Sequence, residues 1–424
     1  MKYRVEQSSL KGEVLVPGSK SHTIRALVCG LLADGTSRIM EPLDSSDTRS
    51  CLEMVRRFGA GVVEDGREWR VTGRAGEPAL PEDVVDVGNS GTSLYIGMGA
   101  AALAPGYTVF TGDHQIRNRP AGQLLESLGH LGAQAFSTRG NGKPPLVIRG
   151  RLKGGRTSLE AHTSQYLSSL LLAAPCASGD SQIDVPLLNE APYVAMTLGW
   201  MERLGIQVTH RDMLTFRVPG RQRYRAFNGH IPADFSSATF FLVAAAITGG
   251  ELVLRGLDFN DTQGDKEVVN ILREMGTDVE LGERHVAVQG RALKGGTFDL
   301  NAIPDALPAL AVAACCASGE TRLVNVPQAR LKETDRIAVM CAELKKMGAQ
   351  IEELPDGLVI RQGPLSGAQV NGHADHRVVM SLAVAGLVAG GTTVVDTAES
   401  VAVTFPGFGE LMRGCGAAIG EVEE

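Results

Sequence analysis

Residues 342–352 read AELKKMGAQIE, and the fold of the whole chain can be worked out from the pattern in this stretch. Apolar residues at helical spacing lead up to Gly348, after which apolar and polar residues alternate. Glycine is the usual residue in the left-handed turn that ends a helix, and alternation is typical of a strand. The stretch therefore predicts an amphipathic helix, a turn at Gly348 and a short strand.

The same pattern occurs six times along the chain. The other five copies are CLEMVRRFGAGVV (51–63), LLESLGHLGAQAF (124–136), MERLGIQVT (201–209), ILREMGTDVE (271–280) and ELMRGCGAAIG (410–420). The glycines are Gly59, Gly132, Gly205, Gly276, Gly348 and Gly416, at intervals of 73, 73, 71, 72 and 68 residues. Such regular spacing indicates one structural unit repeated six times.

A second type of helix is predicted within each repeat, before the amphipathic one. Its copies are RALVCGLLADG, TSLYIGMGAAALAPG, SQYLSSLLLAAPCASG, SSATFFLVAAAITGG, ALPALAVAACCASG and RVVMSLAVAGLVAGG. Helices that are apolar all round are expected to be buried and closely packed, which also explains GMGAA and GLVAGG better than dinucleotide binding does. Polar residues precede these helices, where free backbone NH groups suit anions: Lys20-Ser21, Asn89–Thr92, Thr163–Gln165, Asp234–Ser237, Asp305 and Asp375–Arg377.

The six repeats group as three plus three. A chain of 424 residues is too long for one ordinary core, and the polar, aperiodic segment RQRYRAFNGHIP near residues 221–232 is the expected break. We therefore predict an N-terminal lobe of residues 15–231 and a C-terminal lobe of residues 1–14 plus 232–424. The cleft between the lobes is the expected ligand site.

Composition excludes several function classes. The net charge of −7 argues against broad binding to nucleic acid or an anionic membrane, and the N-terminus has no signal-peptide pattern. Seven scattered cysteines without a CxxC spacing are expected to be buried and reduced, as in a cytoplasmic protein. Neither HExxH nor GxxxxGK[ST] occurs, so we expect no metal and no cofactor. The negative net charge predicts that there is no nucleic-acid partner and no membrane partner.

The charged run ARLKETDR (329–336) follows a β-like segment and belongs to a set of polar loops at equivalent points of the repeats. For any single charged residue, a surface ion pair is the simpler interpretation. Together, however, the residues at these loops predict a substrate with phosphate and carboxylate groups, because Arg and Lys pair with both. The basic residues are Lys20, Arg25, Arg119, Lys332, Arg336 and Arg377; the carboxylates Asp305 and Glu333 suit acid–base chemistry.

Nine motifs in order give the chain a resemblance to the EPSP synthase family of the shikimate pathway. They are PGSKSHTIRA (17–26), GNSGTS (88–93), GDHQIRNRP (112–120), TSQYLSSLL (163–171), ADFSSATFFLVAAA (233–246), DLNAIPDALPALAV (299–312), RLKETDRI (330–337), DHRVVMS (375–381) and VTFPGFGEL (403–411). The resemblance implies an α/β fold of two lobes, each of three βαβαββ repeats, the inside-out α/β barrel of the enolpyruvyl transferases. It also implies a monomeric transferase that joins phosphoenolpyruvate to the 5-hydroxyl of shikimate 3-phosphate.

The resemblance assigns roles to individual residues. Shikimate 3-phosphate is expected to contact Lys20, Ser21, Arg25, Thr163, Ser164, Gln165, Tyr193, Asp305, Gln328 and Lys332. Phosphoenolpyruvate is expected to contact Lys20, Asn89, Gly91, Arg119, Gln165, Glu333, Arg336 and Arg377. Asp305 is the expected base on the attacking hydroxyl and Glu333 the expected proton donor to the methylene carbon. Lys20 is expected to contact both substrates and to take part in catalysis.

The sequence also departs from the family pattern. Tyr95 stands where Arg is common, Val403 where Lys is common and Gln328 where Asn is usual. The polar segment 190–193 also lacks the Ser-Lys pair that is common in the family. Arg117 is a candidate replacement for the positive charge lost at Val403. These differences leave open a paralogue that uses another hydroxylated acceptor, such as UDP-N-acetylglucosamine. A non-catalytic anion-binding protein is a further alternative, although binding alone would gain nothing from two carboxylates.

Overall fold

Six copies of one α/β unit make up the computed structural model, which describes residues 1–423. They belong to two structural units, each with its own apolar core. The N-terminal unit is Gly18–Ile231, and the C-terminal unit combines Met1–Pro17 with the chain from Pro232 onward. Each unit contains three βαβαββ repeats, as the sequence predicts.

The two N-terminal strands are β1 (Lys2–Val5) and β2 (Lys11–Leu15). In the N-terminal unit the first repeat contains α1 (Lys20–Leu32), β3 (Ala33–Asp34), β4 (Thr36–Met40), α2 (Ser46–Arg57), β5 (Gly61–Asp65) and β6 (Glu68–Thr72). The second contains β7 (Val85–Asp86), α3 (Gly91–Ala101), β8 (Tyr107–Thr111), α4 (Gly122–His130), β9 (Gln134–Ser137) and β10 (Leu146–Arg149). The third contains β11 (Gly155–Ala161), α5 (Ser164–Ala173), β12 (Ser181–Leu188), α6 (Ala191–Arg203), β13 (Thr209–Arg211) and β14 (Thr215–Val218), followed by β15 (Tyr224–Arg225) and β16 (Asn228–His230).

The C-terminal unit repeats this order. Its first repeat contains α7 (Phe235–Thr248), β17 (Glu251–Arg255), α8 (Glu267–Glu274), β18 (Asp278–Leu281) and β19 (His285–Gln289). The second contains β20 (Thr297–Asp299), α9 (Leu307–Cys316), β21 (Glu320–Val324), α10 (Arg336–Lys346), β22 (Gln350–Leu354) and β23 (Gly357–Arg361). The third contains β24 (Gln369–Val370), α11 (His376–Gly386), β25 (Thr393–Val395), α12 (Phe408–Gly414) and β26 (Ile419–Val422).

Each repeat forms a four-stranded sheet in which two parallel strands are followed by antiparallel ones. The orders are β16-β4-β6-β5, β7-β8-β10-β9, β11-β12-β14-β13, β2-β17-β19-β18, β20-β21-β23-β22 and β24-β25-β1-β26. Strands from distant parts of the chain complete three of them. β16 pairs with β4, β2 with β17, and β1 with both β25 and β26. The ends of each unit are thereby joined to its other repeats.

The helix-ending glycines have the backbone conformation that the sequence predicts. All six have positive φ angles, between 82° and 107°, immediately after the amphipathic helices. An L-residue with a side chain rarely adopts this conformation, so glycine is favoured at each position. This confirms the repeat pattern at the level of the backbone.

The apolar helices are buried, also as predicted. All eleven residues of α3 and all eleven of α11 are buried. A Cβ atom added to Gly99 would lie 2.5 Å from the carbonyl oxygen of Ser169, so α3 and α5 can approach this closely only with glycine. The GMGAA stretch therefore serves helix packing.

Candidate active site

The predicted site residues form two sets, one in each unit. The N-terminal set is Lys20, Ser21, Arg25, Asn89, Gly91, Arg119, Thr163, Ser164, Gln165 and Tyr193. The C-terminal set is Asp305, Gln328, Lys332, Glu333, Arg336 and Arg377. Most residues of the first set lie near the N-terminal ends of α1, α3 and α5, and most of the second lie before α9 or around the starts of α10 and α11.

Lys20, the first residue of α1, is held by a buried carboxylate. Its Nζ lies 3.1 Å from Oδ2 of Asp47, whose side chain is 4% exposed, in the first turn of α2. Ser19 caps α1, because its side chain accepts from the backbone NH of His22. The ammonium group is thus fixed at the start of the helix, although 13% of the Lys20 side chain still meets solvent.

Arg25 is a fully buried cation, with 1% of its surface exposed. It donates to Thr197 Oγ1 at 2.8 Å, to Ser168 Oγ at 3.3 Å, and to the carbonyls of Ser21 and Tyr193 at 3.1 Å each. Burial lowers the pKa of Arg25 to about 10, so the guanidinium is still charged at neutral pH. Because these four partners are neutral, an anion bound beside Arg25 would stabilise its desolvated charge.

Thr163, Ser164 and Gln165 lie at the N-terminal end of α5, where a buried carboxylate accepts from two of them. Oε2 of Glu190 accepts from Ser164 Oγ at 2.7 Å, Ser164 N at 3.0 Å and Thr163 Oγ1 at 3.1 Å. Gln165 Nε2 donates to Thr92 Oγ1 at 2.9 Å. The start of α5 is therefore an anion-binding end of a helix, and a carboxylate of the chain itself occupies it.

Arg119 lies against the first turn of α3, where Gly91 leaves space for it. A Cβ atom on Gly91 would be 3.3 Å from Cζ and from Nη1 of Arg119. Asn89 lies two residues before Gly91 and donates through Nδ2 to Asp113 Oδ2 at 2.6 Å and to the amide oxygen of Gln115. The structure thus brings Gly91 and Arg119 together, with Asn89 at the same helix end.

Two tyrosine hydroxyls hold the segment that follows Arg119. Tyr95 and Tyr166 both donate to the carbonyl of Pro120, at 2.7 and 2.6 Å, and their rings meet edge to face at 4.9 Å. Both rings are buried. Tyr95, one of the departures from the family pattern, therefore supports the position of Arg119 by holding the next residue, Pro120. Tyr166, which has the same role, was not predicted as a site residue.

Arg336 is the centre of the C-terminal set and is 1% exposed. Its Nε and Nη2 donate to the two oxygens of Asp375 at 2.8 and 3.1 Å, and its Nη1 donates to Asp305 Oδ1 at 2.8 Å. Nη2 also donates to Glu333 Oε2. Burial alone would lower the pKa of Arg336, but the three carboxylates outweigh it and raise that pKa. Arg336 therefore stays charged and fixes all three carboxylates.

Asp305 pairs with three basic side chains. Besides Arg336, Arg377 Nη2 lies 3.1 Å from its Oδ2 and Lys332 Nζ lies 3.7 Å from its Oδ1. Counting Asp375, the cluster carries three positive and three negative formal charges. Because these charges balance, an anionic substrate that binds here must displace a carboxylate from one of the basic side chains.

Asp375 and His376 begin α11 and are fully buried. Asp375 caps the helix by accepting from the backbone NH of Arg377 at 3.0 Å, and it accepts from Thr334 Oγ1 at 3.0 Å. Burial alone would raise the pKa of Asp375, but the charge of Arg336 outweighs it and lowers that pKa. Burial lowers the pKa of His376 to about 3, so its imidazole is neutral at physiological pH.

Two further departures from the family pattern, Gln328 and Val403, lie in the C-terminal unit, and the candidate replacement Arg117 lies in the N-terminal unit. Gln328 is 2% exposed and donates through Nε2 to the carbonyl of Asn301 at 2.9 Å. Val403 is half-buried at the end of a 3-10 helical segment. Arg117 is exposed and donates to the carbonyl of Gly112, so its guanidinium is tied to its own loop.

Three buried carboxylates that hold the predicted residues were absent from the predicted site. Asp47 holds Lys20, Glu190 occupies the start of α5, and Asp375 holds Arg336. Asp375 stood in a polar helix end, which suggests a cap. Its pairing with Arg336, which lies 39 residues away in the chain, could not be predicted from the residues around Asp375.

The part of the chain that the structure describes has neither a cluster of metal-ligating side chains nor a helix that could span a membrane. Residues 1–423 contain no group of three or more His, Cys, Asp or Glu side chains able to hold a metal ion. Within the same residues, every helix is too short or too polar to cross a membrane.

Comparison with known proteins gives a consistent result across the chain. A family model described as EPSP synthase (3-phosphoshikimate 1-carboxyvinyltransferase) matches residues 5–412. A curated 3-phosphoshikimate 1-carboxyvinyltransferase from Ruminiclostridium cellulolyticum is 55% identical over 416 residues, which are 98% of this chain and 99% of the relative. A relative with the same name from Methanosarcina acetivorans is 42% identical over 433 residues, and the alignment covers 100% of both chains.

Solved structures agree with these matches. A structure of EPSP synthase from Acinetobacter baumannii superposes with a TM-score of 0.83 at 30% sequence identity, and all of both chains is covered.

Proposed function

Because this chain belongs to the EPSP synthase (3-phosphoshikimate 1-carboxyvinyltransferase) family, we propose that its two sets of polar residues carry out the family's reaction. The enzyme transfers the enolpyruvyl group of phosphoenolpyruvate to the 5-hydroxyl of shikimate 3-phosphate and releases phosphate, on the route to chorismate and the aromatic amino acids. The observation that carries the residue assignment is the charge-balanced cluster around Arg336, in which two candidate catalytic carboxylates share one buried guanidinium.

The N-terminal set supplies most of the acceptor site. Arg25, charged and bonded to neutral oxygens, provides the positive charge that the phosphate of shikimate 3-phosphate needs. Side chains around the starts of α1, α5 and α6 complete this part: Lys20, Ser21, Thr163, Ser164, Gln165 and Tyr193. From the C-terminal set, Asp305, Gln328 and Lys332 contact the same substrate.

Phosphoenolpyruvate binds arginines from both sets. Arg119, Arg336 and Arg377 supply planar donor groups that match carboxylate and phosphate, and Gly91 leaves the space in which Arg119 lies. Lys20, Asn89, Gln165 and Glu333 complete the donor site. Holding two anions against their mutual repulsion is a large part of the catalytic task, because orientation and charge stabilisation lower the barrier.

Asp305 and Glu333 divide the proton transfers. Asp305 accepts the proton of the 5-hydroxyl as its oxygen attacks the central carbon of phosphoenolpyruvate. Glu333, which pairs with Arg336 as a carboxylate, first takes up a proton when the substrate anions bind and then protonates the methylene carbon. The resulting tetrahedral ketal then loses phosphate together with one proton of its new methyl group, which the Glu333 carboxylate accepts, and the enol double bond is restored. In the structure Asp305 pairs with Lys332, Arg336 and Arg377. When the substrate anions take over Arg377 and Lys332, Asp305 becomes a stronger base.

Phosphate release from phosphoenolpyruvate by the purified protein tests the proposal. We expect release only when shikimate 3-phosphate is present, and a fall of about 10²–10⁴-fold in kcat for Glu333→Gln and for Asp305→Asn. An exposed carboxylate in the same unit, Glu274, gives the control variant Glu274→Gln, which should retain full activity. Undiminished turnover by Glu333→Gln would show that Glu333 is not the proton donor. Release with UDP-N-acetylglucosamine instead would identify another acceptor.

The remaining assignments belong to the same proposal. The units Gly18–Ile231 and Met1–Pro17 plus Pro232 onward serve as the two functional lobes of a monomer. The protein acts in the cytoplasm on small molecules, without a nucleic-acid partner. All seven cysteines are free thiols, which accords with a reducing compartment.

A further inference from the structure

We infer that Glu190 is an internal anion that occupies the phosphate-binding donors of α5 and is exchanged for the phosphate group when the acceptor substrate binds. The inference deepens the proposed function and rests on it, because Thr163 and Ser164 are there assigned to shikimate 3-phosphate. Glu190 itself has no role in the proposed reaction.

The geometry of the contact is that of a bound anion. A single oxygen, Oε2 of Glu190, accepts three hydrogen bonds, from Ser164 Oγ at 2.7 Å, Ser164 N at 3.0 Å and Thr163 Oγ1 at 3.1 Å. A backbone NH in the first turn of a helix, joined by hydroxyl donors, is an arrangement that also suits a phosphate oxygen. A phosphate and the Glu190 carboxylate cannot both occupy these donors.

The backbone conformation of Glu190 indicates that the surrounding structure imposes the position of its carboxylate. Glu190 is 2% exposed, and its φ angle of 58° lies in the left-handed region that residues other than glycine rarely adopt. Such conformations persist where the surrounding structure imposes them, often at functional sites. The residue directly precedes α6, the helix that carries Tyr193, whose carbonyl accepts from Arg25.

Arg25 links this carboxylate to the acceptor site. Burial lowers the pKa of Arg25 to about 10, and Glu190 is among the groups whose charge opposes that effect. A phosphate that replaces the carboxylate at the start of α5 therefore also takes over part of its electrostatic role toward Arg25.

The exchange would give the enzyme a means of selection. Free inorganic phosphate gains only these donors and the charge of Arg25, both of which Glu190 already uses, so the need to displace Glu190 weakens its binding. Shikimate 3-phosphate carries a ring, hydroxyl groups and a carboxylate whose additional contacts offset the displacement. Glu190 would thus reduce occupation of the acceptor site by phosphate, which is also a product of the reaction.

Two substitutions separate the charge of Glu190 from its hydrogen bonds. Glu190→Gln keeps an oxygen acceptor for Ser164 and removes the charge, whereas Glu190→Ser opens the donors completely. Glu202→Gln is the matched control, because Glu202 is an exposed carboxylate on the same helix, α6. Calorimetry on the full chain would measure the Kd of inorganic phosphate and of shikimate 3-phosphate, and thermal unfolding would confirm that each variant is folded.

We expect both Glu190 variants to bind inorganic phosphate at least about tenfold more tightly than the unsubstituted protein, with shikimate 3-phosphate changing in the same direction and Glu202→Gln unchanged. Phosphate should also become a stronger competitive inhibitor against shikimate 3-phosphate. Unchanged or weaker phosphate binding in folded Glu190→Gln and Glu190→Ser would overturn the inference and leave Glu190 as a cap of α5. Turnover of the unsubstituted protein is a separate measurement. If it did not release phosphate from phosphoenolpyruvate, the proposed function would be refuted, but the phosphate Kd values would still decide the role of Glu190.

Discussion

Replacing Asp375 by Asn should disable the C-terminal set without adding or removing a heavy atom. Each Asp375 oxygen accepts two hydrogen bonds: Oδ2 from Arg336 Nε and Thr334 Oγ1, and Oδ1 from Arg336 Nη2 and the backbone NH of Arg377. In Asn one of these oxygens becomes an NH₂ group that faces two donors. The substitution therefore loses two hydrogen bonds and leaves a buried guanidinium short of one counter-charge.

The expected loss of stability follows from that geometry. Removing one partner of a buried ion pair costs about 3–5 kcal/mol when the remaining charge has no other partner. Asp305 and Glu333 still face Arg336, so we expect a loss near the lower end of that range. Asp278→Asn is the matched control, since Asp278 pairs with Arg291 at 2.7 Å while both side chains are more than half exposed. Such a surface pair contributes about 0–1 kcal/mol. Urea unfolding followed by circular dichroism would compare the two variants.

The same substitution should also lower activity. Arg336 orients both Asp305 and Glu333, so its displacement moves both proposed proton carriers. We expect kcat/KM for Asp375→Asn to fall by about 10²-fold or more, measured as phosphate release at a temperature where the variant remains folded. An Asp375→Asn protein as stable and as active as Asp278→Asn would refute the view that Arg336 depends on this carboxylate.

Two further predictions concern stability. His376 is buried with its pKa lowered to about 3, so the unfolded chain binds more protons than the folded one as pH falls from 6.5 towards 3. This residue alone should therefore lower the free energy of unfolding by up to about 1.4 kcal/mol per pH unit in that window. The free energy of unfolding of His376→Gln should depend less steeply on pH than that of the unsubstituted protein. An equally steep dependence would contradict the assignment to His376. Gly99→Ala should destabilise by about 1–3 kcal/mol because its Cβ would meet the carbonyl of Ser169 at 2.5 Å. Gly129→Ala, at a helical position where a Cβ atom meets open space, should instead stabilise the folded protein by about 0.5–1 kcal/mol. If the two variants changed the melting temperature equally, α3 and α5 would not be in close contact.

Much of the fold could be predicted because its pattern is local and repeated. A glycine such as Gly348 ends a helix through its own backbone freedom, and six regularly spaced copies identify the repeat. The buried helices follow from their all-apolar sequences. The pairing of β1 with β25 and β26 is different, because these strands are nearly the whole chain length apart and share no local signal.

The candidate site divides in the same way. The residue types at the helix ends, and with them the class of ligand, could be predicted from the sequence, because Arg, Lys and helix N-termini have the same chemistry wherever they lie. The partners of these residues are known only from the folded chain: Lys20 pairs with Asp47, Arg25 with Thr197, and Arg336 with Asp375. Burial makes each charge depend on its neighbours in space, and these neighbours lie on other helices, in the same repeat for Asp47 and in other repeats for Thr197 and Asp375.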